Sequence, residues 1–268
     1  MNFEFSSDQK LLKDQARKFL EGEESLKKAR EVLENDAPYD ESLWKSIIEL
    51  GWTATTIPEE FDGLGLGYLE LCVIAEELGR SLAPTPFSSS VYLATEALIR
   101  LGSPEQRKTY LPKLASGEII GTLAHNESFT APTENNINCK LENGQLTGIK
   151  IAVTDGDIAD FAIVSVKEEE RIKLCIADLN SSNIEIESQN TLDPSRSHAS
   201  INFKNTSPIQ QSQKDSIIPG GSCRLRQIGL SDLFRVIMNF ESTPDTLCIE
   251  PAARPILCLW DAIIDTKV

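Results

Sequence analysis

Imidazole, thiol and paired carboxylate groups are the means by which this chain would do acid–base, nucleophilic or metal chemistry, and their spacing argues against most of it. The two histidines, His125 and His198, stand apart from the six cysteines, Cys72, Cys139, Cys175, Cys223, Cys248 and Cys258, among which there is no Cys-x-x-Cys step. Thiolate–imidazole metal sites use ligands at short fixed intervals. Reduced structural thiols and no metal are therefore expected, with both histidines as strand-edge side chains. Glu76 and Glu77 are consecutive in a helical stretch, so their carboxylates face different ways and do not form a shared acid–base pair. Lys167-Glu-Glu-Glu170 reads as a solvated turn. Gly63, Gly65 and Gly67 allow tight turning and close backbone approach, but their spacing matches neither GxGxxG nor GxxxxGK[ST], so no nucleotide phosphate cradle is read there. What remains is the stretch from Leu141 to Val166, where the chain's chemistry is expected to sit.

That stretch must be held by strands. Asn143-Gly144 separates runs that can alternate and is the strongest short hairpin signal, because a type I′ turn needs positive φ at both central positions. Ile149, Ile151 and Val153 predict a half-buried strand with these three on one face. Asp155-Gly-Asp157 breaks it, and Phe161-Ala-Ile-Val-Ser-Val166 resumes as a nearly continuous apolar strand. Further strands are expected over 119–124, 171–178, 183–188 and 198–203.

Before this block the periodicity is helical. Ser6-Ser-Asp-Gln9 has the form of a capping box, opening a helix with Leu12, Ala16, Phe19 and Leu20 inward. A second helix is predicted over about 23–35, with Leu26, Ala29 and Leu33 inward, and a third over 42–50 (Leu43, Ile47, Leu50), ended by Gly51. Ser88-Ser-Ser90 caps a helix over 91–101. Ser103-Pro-Glu-Gln106 combines an N-cap serine, a proline in the first turn and a glutamine three residues on, which opens another. The fold class expected is α+β: an all-α amino-terminal domain over 1–118, an antiparallel β domain over 119–212, and a short remnant segment, truncated or divergent, over 213–268. Pro244, Pro251 and Pro255 interrupt that last segment, which is expected to pack loosely after about Asp215 and to be cut first by protease.

With 41 Asp plus Glu against 26 Lys plus Arg, the formal charge is −15 and the pI about 4.7. That disfavours sequence-blind attraction to phosphate backbones or anionic lipid, so no nucleic acid and no membrane partner is expected. The start, Met1 to Lys10, carries no basic and apolar leader, and a cytoplasmic location is expected.

The steps Gly51-Trp52, Pro58-Glu-Glu-Phe-Asp-Gly-Leu-Gly-Leu-Gly67, Glu76-Glu-Leu-Gly-Arg80 and Leu82-Ala-Pro-Thr-Pro86 together resemble the amino-terminal helical domain of the acyl-CoA dehydrogenase family. Asp62 stands where the family often has glycine. Leu101 to Glu118 is similar to the family's link into its middle β domain, and Leu192-Asp-Pro-Ser-Arg196 to its Asp-Pro-Thr-Arg step. The resemblance implies an oxidoreductase, an acyl-CoA dehydrogenase-like flavoprotein of fatty acid or lipid catabolism. Such an enzyme carries out α,β-dehydrogenation of an acyl-CoA thioester with hydride transfer to FAD.

It also implies a cofactor-binding set in two segments. The family's Thr-Glu-Pro-x-x-Gly-Ser-Asp falls on Asn126, Glu127 and Ser128, with no Gly-Ser-Asp in the Phe129–Glu134 stretch. Its Trp-Ile-Thr-Asn/Ser falls on Ala152, Val153 and Thr154, so a flavin-packing tryptophan is replaced by Ala152. Thr154 reads equally as a flavin contact or as a strand-end residue capping the Asp155-Gly156 turn. No catalytic base is assigned, because the family's second helical domain, which supplies it, has no match in the tail. The resemblance implies a homo-oligomer or a hetero-oligomer with a full-length family member. It leaves as alternatives a non-catalytic partner subunit of a heteromeric acyl-CoA dehydrogenase and an inactive truncated product.

Overall fold

The computed structural model of the chain describes residues 5–130, 132, 136–169, 171–191 and 195–209. The expectations for the segment after Asp215, and for Cys223, Cys248 and Cys258, lie outside the described residues. Among the described residues six α-helices precede seven strands: α1 (Ser7–Gly22), α2 (Ser25–Asn35), α3 (Glu41–Glu49), α4 (Tyr68–Arg80), α5 (Glu96–Leu101) and α6 (Pro104–Ala115), then β1 (Gly121–Ala124), β2 (Lys140–Glu142), β3 (Gln145–Thr154), β4 (Phe161–Glu168), β5 (Arg171–Asp178), β6 (Ile184–Ser188) and β7 (His198–Thr206).

The local start signals act as read. Ser6 and Ser103 each close a capping box, accepting from the backbone of Gln9 and Gln106 while those side chains return to the cap amide. Asn143 and Gly144 both take positive φ, 52° and 72°, and join β2 to β3. Gly51, just past α3, sits at φ 73°. The glycine loop folds back on the chain before it: Leu64, Gly65 and Leu66 donate to the carbonyls of Ala54, Ile57 and Thr55. A Cβ on Gly63 would overlap the Ile57 carbonyl, which is the close approach glycine permits.

Helix α1 lies along α4 through a polar ladder. Gln9, Lys13 and Arg17 meet Glu70, Glu76 and Glu77, and Arg80 also bonds Glu77. Glu76 and Glu77 thus serve different partners, as their consecutive placement requires. The inward stripe of α2 differs from expectation. Ser25, Ala29 and Val32 are buried, while Leu26 and Leu33 are exposed. The cause is a shorter start: Glu24 is left-handed, and Ser25 Oγ donates to the Ser81 carbonyl, which sets the helix rotation. Leu50 is likewise exposed. The helix expected over 91–101 begins earlier, since Ser88–Thr95 is wound with the wider i→i+5 bonding and runs directly into α5.

The strands form one sheet in the order β1-β4-β2-β3-β7-β6, with β5 also on β4. The helices-then-sheet architecture stands, but the sheet is mixed: β1 runs parallel to β4, because the connection between them carries the whole β2–β3 hairpin. The other extended ladders are antiparallel. Strand β4 is buried on both faces. Phe161 and Ile163 pack with Leu98, Tyr110 and Leu111 of α5 and α6, whereas Ala162, Val164 and Val166 enter a second core cluster. Ala16, Leu20, Leu43, Ile47 and Ile74 of the helices share that second cluster with Val153, Ile201 and Phe203 of the sheet. At roughly 1.5–3 kcal/mol for each large apolar side chain buried, the helix–sheet seam is as much a part of the core as either layer.

Candidate functional site

The site is built on β3, and the face that β3 presents is not the alternating one expected. Ile149 is exposed and Lys150 is fully buried. The ladder with β7 shifts register between Leu146 and Gly148 and again between Lys150 and Val153. The second shift is a bulge, with Ala152 at φ 50°. Leu146, Lys150 and Val153 point inward, and the three-residue step from Lys150 to Val153 is one a regular strand does not allow.

A buried lysine needs partners, because a bare ammonium away from water is very costly. Lys150 Nζ donates to Glu127 Oε1 at 2.7 Å, Ser165 Oγ at 2.9 Å and the His125 carbonyl at 3.2 Å. Burial pulls the Lys150 pKa down, opposed chiefly by the hydrogen bond to Glu127. Glu127 in turn accepts from the backbone amides of Asn138 (2.6 Å) and Cys139 (3.0 Å). Gly148 makes this possible: at φ 143°, a Cβ there would stand 2.7 Å from Cys139 Cα. His125 is buried rather than at a strand edge, with Nδ1 2.9 Å from Ser165 Oγ. Burial, and then the neighbouring Lys150, push its pKa down to about 4, so it is neutral at pH 7. The expectation failed because Ser165, inside an apolar strand, supplies the polar partner that lets the ring go under. His198 is half-buried at the start of β7, with Nδ1 near the Arg196 carbonyl.

The two segments expected to hold a cofactor are side by side. Ile151 N donates to the Asn126 carbonyl at 2.8 Å, and Thr122 Oγ1 to the Thr154 carbonyl at 2.7 Å. Glu127 is turned inward to Lys150, and Ser128 is exposed with its hydroxyl 2.8 Å from Thr130 Oγ1. Ala152 is exposed, and its amide donates to Gln189 Oε1 at 3.0 Å. Val153 is a core side chain. Thr154 is half-buried opposite His198.

Just beyond Thr154 a second polar knot fastens this end of β3 to the wide helical segment. The Asp155 carboxylate, 2% exposed, accepts from Ser89 Oγ at 2.5 Å, and its amide donates to the Ser197 carbonyl. Ser197 Oγ reaches Asp157, while Arg196 Nη1 reaches Ser88 Oγ at 2.6 Å. Burial raises the Asp155 pKa, and the Ser89 bond and the charges of Arg196 and His198 oppose the rise. Sequence reasoning missed Lys150, Ser165, Asp155 and Gln189. A signal existed for the first two: a lysine and a serine inside apolar strand runs must find partners if the runs are buried.

The chemistry of this donor set fits the carbonyl-bearing edge of a flavin ring. An amide N–H turned out of the sheet at Ala152 is already capped by a carbonyl oxygen, and the hydroxyls of Thr154 and Ser128 and the amide of Asn126 lie on the adjoining segments. Among the described residues no group of three or more His, Cys, Asp or Glu is placed to hold a metal ion, and no helix is long and apolar enough to cross a membrane. Cys139 and Cys175 are free buried thiols, raised by burial to about 11 and about 12.

Residues 6–118 match the family model of the acyl-CoA dehydrogenase N-terminal domain. Over these residues the chain is similar to the amino-terminal domain of the acyl-CoA dehydrogenase family. Mitochondrial isovaleryl-CoA dehydrogenase of Solanum tuberosum is 34% identical over 173 residues, covering 62% of this chain and 42% of that protein. Acryloyl-CoA reductase (NADH) of Anaerotignum propionicum is 34% identical over 128 residues, 47% of this chain and 32% of that protein. The chain thus spans less than half the length of these curated relatives. The ChsE4–ChsE5 complex of Mycobacterium tuberculosis is similar in structure, with a TM-score of 0.71 at 23% identity over 83% of this chain and 59% of that one. A glutaryl-CoA dehydrogenase of Mycobacterium smegmatis in complex with FADH2 gives 0.68 at 20% identity, over 80% and 56%. At those identities the likeness is one of fold. The helical part and the mixed sheet together are the acyl-CoA dehydrogenase arrangement.

Proposed function

We propose that this chain serves the α,β-dehydrogenation of an acyl-CoA thioester as part of an FAD-dependent acyl-CoA dehydrogenase. The observation that carries this reading is the Lys150–Glu127 ion pair, which holds Asn126–Ser128 against Ala152–Thr154 at one end of the sheet. When bound, FAD would accept hydride from the acyl chain. This chain's own part is to position and to exclude water: Ala152 N–H, Thr154, Asn126 and Ser128 would hold the ring edge, and the buried Val153 beneath them keeps that edge dry. We take the helical domain to run to about residue 118 and the sheet domain to about 212, in a cytoplasmic oligomer.

A second reading, a partner subunit in a heteromeric enzyme, is favoured by the state of the rim carboxylates. Glu127 and Asp155 are both turned inward and hydrogen-bonded, so neither is disposed to take a proton from a substrate carbon. The base would then come from a full-length family member, with this chain completing the other half of the site. Among the relatives by structure, one is described as a complex of two named chains. The test is flavin content and reduction of an electron acceptor by acyl-CoA, for the chain alone and after co-expression with a full-length relative. Turnover only in the mixture supports the partner reading, and turnover by the chain alone supports the self-sufficient enzyme. No flavin and no turnover in either sample rejects both.

A further inference from the structure

The amide of Ala152 is unusual in three ways. It belongs to a non-glycine residue held at φ 50°, it sits at a register shift, and it is bonded to a side chain rather than to β7. A left-handed alanine is strained, and strained backbone gathers at ligand clamps. Bulges likewise re-aim groups beside functional sites. The group that answers the amide is Gln189, 37 residues further along, whose own backbone is fixed by donation from its amide to the His198 carbonyl at 2.7 Å. Its side chain crosses from the end of β6 to the exposed bulge of β3. A primary amide carbonyl and a ring carbonyl are the same acceptor to an N–H donor, and only one of them can have it.

We propose that Gln189 is an internal stand-in for the cofactor: its side-chain carbonyl takes the Ala152 amide that a carbonyl-bearing flavin ring would accept from, and must leave when such a ring binds. This rests on the flavin reading above. It makes Gln189 a residue that tunes cofactor retention without itself contacting substrate. The direction follows from hydrogen-bond strength. Removing a neutral competitor frees an amide that a ligand would otherwise have to win, an effect of roughly 2- to 10-fold in affinity. A carboxylate in the same place is a stronger acceptor and a harder competitor.

The experiment is FAD titration of the full chain, followed by quenching of flavin fluorescence, for wild type, Gln189→Ala and Gln189→Glu, with circular dichroism showing that all three are folded. The expected order of affinity is Ala tightest, Gln intermediate and Glu weakest. A merely structural glutamine would give weaker binding for both variants, and that result overturns the proposal. Equal affinities overturn it too while leaving the flavin reading intact. Absence of FAD binding by all three proteins, both alone and after co-expression with a full-length relative, overturns both.

Discussion

Lys150 places its ammonium 2.7 Å from Glu127 Oε1 with the lysine side chain wholly enclosed and the glutamate only 8% exposed. Removing one partner strands the other. Lys150→Met is expected to lower stability by about 3–5 kcal/mol, the cost of leaving a buried charge unpaired. The double variant with Glu127→Gln should lose less than the two single variants added together. Urea unfolding of the four proteins checks this, and additive losses would show that the pair is not coupled.

Asp155 supplies a pH test. Its folded pKa is raised, with burial as the largest cause. A carboxyl raised in the fold adds stability while it is protonated, below its unfolded pKa, and that contribution is lost as pH rises through the folded value. Above the unfolded pKa, and so near pH 7, burying this acid is therefore a cost. Asp155→Asn keeps an acceptor for Ser89 and should raise the urea midpoint at pH 7, with the gain shrinking as the solution is acidified towards pH 4. A gain that grows on acidification would contradict the burial argument.

Glu77 is the shared acceptor between α1 and α4. Glu77→Gln leaves Arg17 and Arg80 to solvent, where they are already 41% and 43% exposed. The stranded partners are hydrated, so the expected loss comes mainly from the interhelical link. It should exceed that of Arg17→Gln or Arg80→Gln alone, because the glutamate serves both. Thermal melts of the three variants decide the order.

Gly63→Ala puts a methyl group into the Ile57 carbonyl, which belongs to backbone and cannot swing away. Overpacking of this kind costs about 1–3 kcal/mol. The effect should appear as a lower melting temperature together with faster amide exchange at Gly65, whose N–H donates to that same carbonyl.

What could be read from the chain followed how locally each signal acts. The Ser6 and Ser103 caps and the Asn143-Gly144 turn depend on four residues or fewer, and each forms as expected. The parallel pairing of β1 with β4 depends on residues 40 apart and left no local mark. The face of β3 was misjudged because the apolar alternation of Ile149, Ile151 and Val153 competes with a glycine at Gly148 and a bulge at Ala152. Lys150 turns inward to Glu127 and leaves Ile149 exposed. That 126–128 and 152–154 would serve one cofactor is what the family resemblance implies, and nothing in the spacing of those six residues implies their contact.

The core cluster that joins Ala16, Leu20, Leu43 and Ile74 to Ile201 and Phe203 has a consequence for how the protein is made. On a ribosome the helices emerge first, and Ile201 and Phe203 of β7, which complete this cluster, follow more than a hundred residues after Ile74. Until β7 is available the early chain carries bare hydrophobic surface, the state in which nascent proteins clump or recruit chaperones. A ribosome that stalls soon after the last helix would release a piece that is neither finished nor soluble in its own right, and cellular yield should depend on the speed of synthesis across the strands.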